Sequence, residues 1–437
     1  MENKAPVSIF WFRRDLRLDD NAGLYHALKS KNSVLPVFIF DKEILDRLDD
    51  KDDARVTFIH ETVAALDQQL HRHGSSLRVL HDKAEDAWHA LLKEYQIAAV
   101  YTNHDYEPYA KERDSDIENL LKKHGIPFHT YKDQVIFEKD EAVKDDGKPY
   151  TVYTPYNRKW YQKIKPFYFK AYPNKKYFSN FFQMDALPLP SLKQMGFEKS
   201  NREFPPIHYK EYISEYPEKR DFPAIKGTTH IGLHLRFGTI SIRELARTAY
   251  GFKEKTWLNE LIWREFYMMI LHHFPHTAGN SFKPEYDRIK WVNDEKQFEA
   301  WCKGETGYPL VDAGMRELNA TGYMHNRVRM VVASFLCKDL LIDWRWGERY
   351  FARKLLDYEM ASNVGGWQWS AGCGTDAAPY FRIFNPDAQL KKFDPDLQYI
   401  KKWVPEYADF SKYPKPIVDH AFARERCLKV FKEALSG

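Results

Sequence analysis

Hydrophobic positions follow two different periods along the chain, and the change from one to the other divides it. Over the first part, short apolar runs at residues 8–12, 34–40, 77–80 and 98–101 alternate with amphipathic stretches. Runs of that length predict strands buried on both faces. Between the second and third runs, Val56, Ile59, Val63, Leu66 and Leu70 recur at helical spacing and Gly74 closes the series, which predicts one helix with an apolar face. This alternation predicts an α/β domain over residues 1–130, with a Rossmann-like parallel sheet and covering helices. From 131 to 200 the pattern dissolves into EKDEAVKDDGKPYTVYTPY and LPLPSLKQ, the composition of a long surface linker. Beyond 200 the strand signals stop. Helix-period segments at 239–250, 255–273, 312–320, 324–342 and 346–362 predict a large all-α domain over 201–437.

A length of 437 residues with 43% hydrophobic content supplies enough apolar material for two or three cores. Cys302, Cys337, Cys373 and Cys427 stand far apart, with no CxxC or Cys/His cluster, which argues against a disulfide framework and against a zinc site. No apolar run approaches the roughly 18 residues of a membrane span, so a soluble, cytoplasmic protein with no membrane partner is expected. The net charge of +4 admits a polyanion partner only if the positive charge gathers on one face. The 12 tryptophans change the picture more, because nine of them lie at or beyond residue 257. Indoles in that number point to rings used for more than filling a core. The strand ends carry neither GxGxxG nor GxxxxGK[ST], so these phosphate sites are excluded, while the crevice at the sheet's carboxyl edge stays available to a ligand.

Three stretches of the helical half mix groups that ordinary helices separate. In WLNELIWREFY, a turn of about 100° per residue puts Trp257, Glu260, Trp263, Arg264 and Tyr267 within an arc of about 120°. Two indoles, a carboxylate and a guanidinium on one face read either as a pocket of flat walls and a few aimed polar groups or as a partly exposed helix with a Glu260–Arg264 pair at i,i+4. In GYMHNRVRMVVASFL, Asn326 and Met330 share a face beside Arg327 and Arg329. In GGWQW, Trp367 and Trp369 point about 200° apart if helical, so the two indoles serve different neighbours. The hydroxyls and glycine of segment 228–232 read either as a phosphate contact near a helix start or as a plain turn.

The motifs IFWFRRDLRLDDN, HLRFGTISIREL, WLNELIWREFY, TGYPLVDAGMRELNATGYMHNRVRM and NVGGWQWSAGCGTDAAPYFRIFNP resemble the photolyase/cryptochrome family. The resemblance runs from about residue 8 to 420, and within the family it points to class I cyclobutane pyrimidine dimer photolyases of the bacterial type. It implies an enzyme that binds FAD, uses blue or near-ultraviolet light and splits pyrimidine dimers in DNA. The alternative it leaves is a cryptochrome-like photoreceptor without repair activity. The all-α domain is then the FAD-binding catalytic domain. The expected state is a monomer, cytoplasmic and nucleoid-associated when bound to damaged DNA.

Residue by residue, the resemblance implies FAD contacts from Tyr216, Thr228, Thr229, His230, Ile231, Gly232, Trp257, Arg264, Asp357, Tyr358, Glu359 and Asn363. Asn363 stands where plant cryptochromes carry Asp beside the flavin N5. Trp263 and Trp369 match two indoles that flank a flipped lesion, and Glu260 matches an acid that hydrogen-bonds a pyrimidine carbonyl. Asn326 and Met330 match further lesion contacts, and Arg327 a phosphate clamp. Trp367, Trp344 and Trp291 match a chain that passes electrons to the flavin. Two departures are plain. The usual TSxLS motif is THIG after Thr228, and Ala110 replaces the glutamate that holds a folate antenna. A folate is therefore not expected, and a deazaflavin, a second flavin or no antenna remain open.

Overall fold

A computed structural model describes residues 5–409 and 411–436. The chain divides into two compact units, each assembled from several segments. The first combines residues 1–138, 164–207 and 231–248; the second combines 139–163, 208–230 and 249–437.

The first unit is built on a five-stranded parallel sheet: β1 (Val7–Phe12), β2 (Val34–Asp41), β3 (Arg78–Asp82), β4 (Ile97–Asn103) and β5 (Phe128–Tyr131), in the order β3-β2-β1-β4-β5. Every residue of β1 and β2 is buried, as expected for central strands covered on both faces. Helix α1 (Ala54–His71) buries Val56, Val63, Leu66 and Leu70, and Gly74, with φ +72°, turns the chain after it. The periodicity thus located four strands, while β5, whose FHTY is polar and half exposed, carries no apolar run to reveal it.

The stretch expected as a linker divides between the units. Phe181 bridges to Val34 in parallel and the Phe182 N–H bonds to the Val34 carbonyl at 2.8 Å, so 164–207 is laid along the α/β unit by backbone pairing. Residues 139–163 belong to the helical unit and contain helix α2 (Tyr153–Lys163). Composition alone does not distinguish such ordered, non-repetitive chain from a free connector.

The second unit is helical and includes α3 (Thr256–His273), α4 (Pro309–Thr321), α5 (Asn326–Ser334), α6 (Trp344–Lys354) and α7 (Met360–Ala371); α3, α5, α6 and α7 line its pocket. Its core includes an apolar cluster with Trp301, Trp344, Trp367, Val328, Val332 and Leu336. The continuous helix expected over 346–362 is two helices. The Leu356 N–H leaves the helical ladder for the Gly322 carbonyl at 2.9 Å, and residues 355–359 become a loop that the helical period could not foretell. Among the described residues no helix is long and apolar enough to cross a membrane, and no group of His, Cys, Asp or Glu forms a metal site.

Candidate active site

Helices α3, α5 and α7 converge with the 355–359 loop on a cavity of about 390 Å³ in the helical unit. The convergence depends on two glycines with opposite roles. A Cβ at Gly365 would lie 2.3 Å from the Tyr267 ring, so glycine there lets α7 close on α3, whereas a Cβ at Gly366 would meet nothing within 4 Å. Gly366 therefore leaves open room on the pocket side. Gly347 performs the same service for α6: a Cβ would come within 2.1 Å of the Trp367 ring. These contacts explain glycines inside helices, where they otherwise cost about 0.5–1 kcal/mol each.

Flat walls come from Trp263, Tyr267, Phe351, Trp367 and Trp369, with Met330 and Leu355 between them. Trp263 is held by Tyr153 of α2, whose ring stacks on it at 3.7 Å and 6°; the Tyr153 hydroxyl donates to the Asn259 carbonyl at 2.9 Å. Trp367 is buried at 2% exposure, edge-on to Phe351 at 5.0 Å and to Trp301 at 6.1 Å. Trp369 is half-buried, 6.5 Å from Phe384. Between the two indoles, the buried Gln368 amide donates to the Thr277 and Asn280 carbonyls and accepts from the Phe282 N–H, all at 2.9 Å. That anchor fixes the helical phase of both rings.

The polar groups come as balanced pairs. Arg264 pairs with Glu359 at 3.1 Å, Arg329 with Asp357 at 3.0 Å, and Arg220 with Glu260. Burial pushes the Glu260 carboxyl up from its ordinary value, against the pull of Arg220, because removing water disfavours the charged form. Asn363 donates to the Glu348 side chain at 3.0 Å and to the Glu348 carbonyl at 3.2 Å. No hydrogen bond to its Oδ1 is seen among the described residues. Burial also raises the Glu348 carboxyl.

The pocket gathers Glu260, Trp263, Arg264, Asn326, Met330, Asp357, Tyr358, Glu359, Asn363, Trp367 and Trp369. Other expected residues lie elsewhere. Trp257 does not share the pocket face: it is buried at 3% exposure and stacked on Tyr209 at 5.8 Å, packed by the 208–213 segment. Tyr216 is outside the lining and lies under the Arg220 guanidinium at 5.5 Å. Thr228 hydrogen-bonds Tyr323 at 3.1 Å and His230, at φ +50°, stacks on Tyr323 at 3.9 Å, while Ile231 and Gly232 begin a short helix counted with the α/β unit. Arg327 points to Asp221 at 2.7 Å. Trp344 is buried beneath the Arg345 guanidinium and Trp291 lies edge-on to Phe431 at 5.8 Å; both pack in the cluster that holds Trp367.

Arg220, Arg329, Tyr267, Tyr153 and Glu348 are site residues that the sequence reading does not single out by role. Tyr267 already falls on the α3 arc and Arg329 on the α5 motif, so for these a signal existed. Tyr153 and Glu348 act only through a residue brought to them by the fold.

Comparison with known proteins settles the family. Residues 8–176 match the DNA photolyase family and 257–412 match the FAD binding domain of DNA photolyase. A deoxyribodipyrimidine photo-lyase of Synechococcus is 37% identical over 98% of this chain and 97% of its own. The chain belongs to the DNA photolyase family. Among solved members of that photolyase fold, a bacterial class III photolyase from Agrobacterium tumefaciens is 33% identical, with a TM-score of 0.85 over 100% of this chain and 99% of its own. An archaeal photolyase from Sulfolobus tokodaii, solved with two FAD molecules, is 36% identical with a TM-score of 0.83, covering 98% of this chain and 99% of its own.

The α/β unit holds a second crevice at the carboxyl ends of β1, β2 and β4, the usual ligand position for such folds. Trp11, Phe38 and Phe40 form its apolar side; Arg14 reaches Asp105 and Glu107, both at 3.1 Å, and Tyr109 donates to Asp41 at 2.6 Å. Burial alone would raise the Asp105 carboxyl, but Arg14, Arg13 and Arg236 hold it down to about 2. Ala110 lines this crevice at 5% exposure.

Proposed function

We propose that this chain is a deoxyribodipyrimidine photo-lyase that repairs cyclobutane pyrimidine dimers in DNA by light, and that it is of the class I type. The observation that carries the reading is the pocket itself: aromatic walls, a protonatable acid and an asparagine amide, gathered in one cavity of the FAD binding domain. The donor set fits a flavin. A flat isoalloxazine needs ring-sized apolar walls and amide-type partners along one edge, which Trp367, Phe351 and the Oδ1 of Asn363 provide; the guanidinium groups of Arg264 and Arg329 suit the anionic end of FAD. Tyr358, Asp357 and Glu359 line the same cavity, and Tyr216, Thr228, Thr229, His230, Ile231 and Gly232 complete the proposed cofactor contacts, while Trp257, buried on Tyr209 off the pocket face, is not among them. When bound there, reduced FAD would supply light-driven one-electron chemistry with no net redox change.

The protein's own part is to present the lesion and to manage charge. A dimer has to leave the duplex stack, and the exposed surfaces of Trp263 and Trp369 offer replacement stacking worth about 1–3 kcal/mol per base. Glu260, pushed toward its protonated form by burial, donates a hydrogen bond to a pyrimidine carbonyl and stabilises negative charge as it builds there. Asn326 and Met330 contact the lesion from α5, and Arg327 binds backbone phosphate. Asn363 has no dissociable proton at neutral pH, so it orients without protonating. Trp367, Trp344 and Trp291, gathered in one core cluster, form the proposed electron chain from the surface. The class I assignment rests on the Glu260, Asn326 and Met330 set. We propose a monomer of the cytoplasm that associates with the nucleoid through damaged DNA.

The test is direct. FAD-loaded protein is mixed with an oligonucleotide carrying one thymine dimer, kept dark or illuminated, and restored DNA is counted. Restoration in light only is expected; bound lesion with no restoration under light and reduced cofactor would refute the repair reading.

A further inference from the structure

Arg327 is oriented as an anion receptor, and an anion of the protein already sits on it. Its guanidinium lies over the Phe393 ring at 4.4 Å, which fixes the plane of the fork, and Nη1 touches the Met330 sulfur at 3.9 Å. Nη2 donates to the Asp221 carboxylate at 2.7 Å, and the buried Nε has no partner among the described residues. The Asp221 side chain is 39% exposed, so it can swing into water without losing a buried contact. Arg220, the preceding residue, is paired with Glu260. One turn of chain therefore presents a base and an acid, side by side, to two groups from α3 and α5 that the repair reading assigns to DNA.

We propose that Asp221 is an internal competitor for backbone phosphate: its carboxylate holds Arg327 until a DNA phosphate takes its place. This inference rests on the proposed function, since it takes Arg327 to be a phosphate contact. The exchange is favourable but reduced. A partly exposed pair contributes about 0–1 kcal/mol, whereas phosphate offers Arg a charge-assisted, two-pronged contact and a reach for the orphaned Nε. Asp221 also cancels one positive charge at the DNA face, which lowers the number of phosphates effectively neutralised. Its effect is the same for damaged and undamaged DNA, because backbone contacts carry no information on the lesion. The result is weaker capture by the excess of intact duplex, with lesion preference left to the pocket.

The experiment uses the FAD-loaded full chain in the dark, with labelled duplexes that do or do not contain a dimer, over a salt titration. Asp221→Asn should bind both duplexes up to about 5-fold tighter, the factor set by losing a pair of up to about 1 kcal/mol. Its salt dependence should steepen by up to about one unit of slope. Arg327→Ala should weaken binding to both, and Arg327→Ala with Asp221→Asn should match Arg327→Ala alone. Asp221→Glu, which keeps the charge, should stay near wild type and controls for folding, as do the melting curves of each variant. Binding of Asp221→Asn equal to or weaker than wild type, or a gain that survives intact on Arg327→Ala, would overturn the proposal. The repair reading is judged separately by wild-type preference for the dimer, which Asp221 does not set.

Discussion

At the scale of single residues, the site depends on small distinctions between like neighbours. Glu260 is the clearest titrating group. Burial raises its carboxyl while Arg220 opposes, so the protonated fraction falls as pH rises through the raised value. A role that needs the proton must fade in the same direction. Glu260→Ala is expected to lower repair per absorbed photon while FAD stays bound; Glu260→Gln, a neutral donor at all pH, should flatten the alkaline decline. Equal quantum yields and identical pH profiles for wild type and both variants would remove Glu260 from the chemistry. Trp367 and Trp369 should fail in different ways. Trp367 contacts the buried Trp301 and Phe351 rings, while Trp369 is half-buried against Phe384. Trp367→Phe is expected to stop light-driven reduction of oxidised FAD yet leave repair by chemically reduced enzyme nearly intact. Trp369→Ala should weaken dimer binding by about 1–3 kcal/mol with photoreduction unchanged. Matching losses of dimer binding in both variants, with normal photoreduction, would refute this division.

At the scale of elements, α5 shows how a helix start can carry a pH dependence. His325 is its N-cap: Nδ1 accepts from the Arg327 N–H at 3.2 Å, so the ring must be neutral at that nitrogen. Burial lowers the His325 value to about 4, well under the ordinary 6.5. A lowered value stabilises the fold above the unfolded value and loses that stability as pH falls from about 6.5 toward 4. At pH 5 the loss is on the order of 2 kcal/mol. We expect the wild-type melting point to fall between pH 7 and 5 by more than that of His325→Asn, whose amide caps without titrating. Equal falls would show that other groups carry the acid sensitivity. This cap was not legible in the sequence, because histidine is not a preferred N-cap and only its burial makes it one. The helix itself was legible, through the spacing of Val328, Val331 and Val332. The break of 346–362 was not, since a backbone bond to Gly322, distant in sequence, decides it.

At the scale of the whole molecule, the two fold classes were readable because strand and helix periods do not mix. The discontinuous division was not, since nothing local in 164–207 announces its pairing with β2. The same limit applies to the second crevice. The sequence supplies Ala110 in place of an expected carboxylate, but not what fills the space around it. In the structure the nearby acids are engaged: Arg13 pairs with Asp114, Arg236 with Glu107, Arg14 with Asp105 and Glu107, and Tyr109 with Asp41. A pterin ring would need a free acceptor for its amino and ring N–H groups, and buried donors without one cost about 1–3 kcal/mol each. Arginines and indole surfaces favour instead a flat chromophore with an anionic tail, a flavin or deazaflavin, or no second chromophore at all. Protein expressed with folate supplied is therefore expected to carry little or no pterin, measured by near-ultraviolet absorbance of the released chromophores against FAD. Ala110→Glu adds the missing acceptor at a position only 5% exposed, so any folate it gains has to exceed the strain of the longer side chain. Stoichiometric pterin on the wild-type protein would show that Asp105, Glu107 or Asp41 exchange their present partners for the ligand, and that Ala110 does not decide the matter.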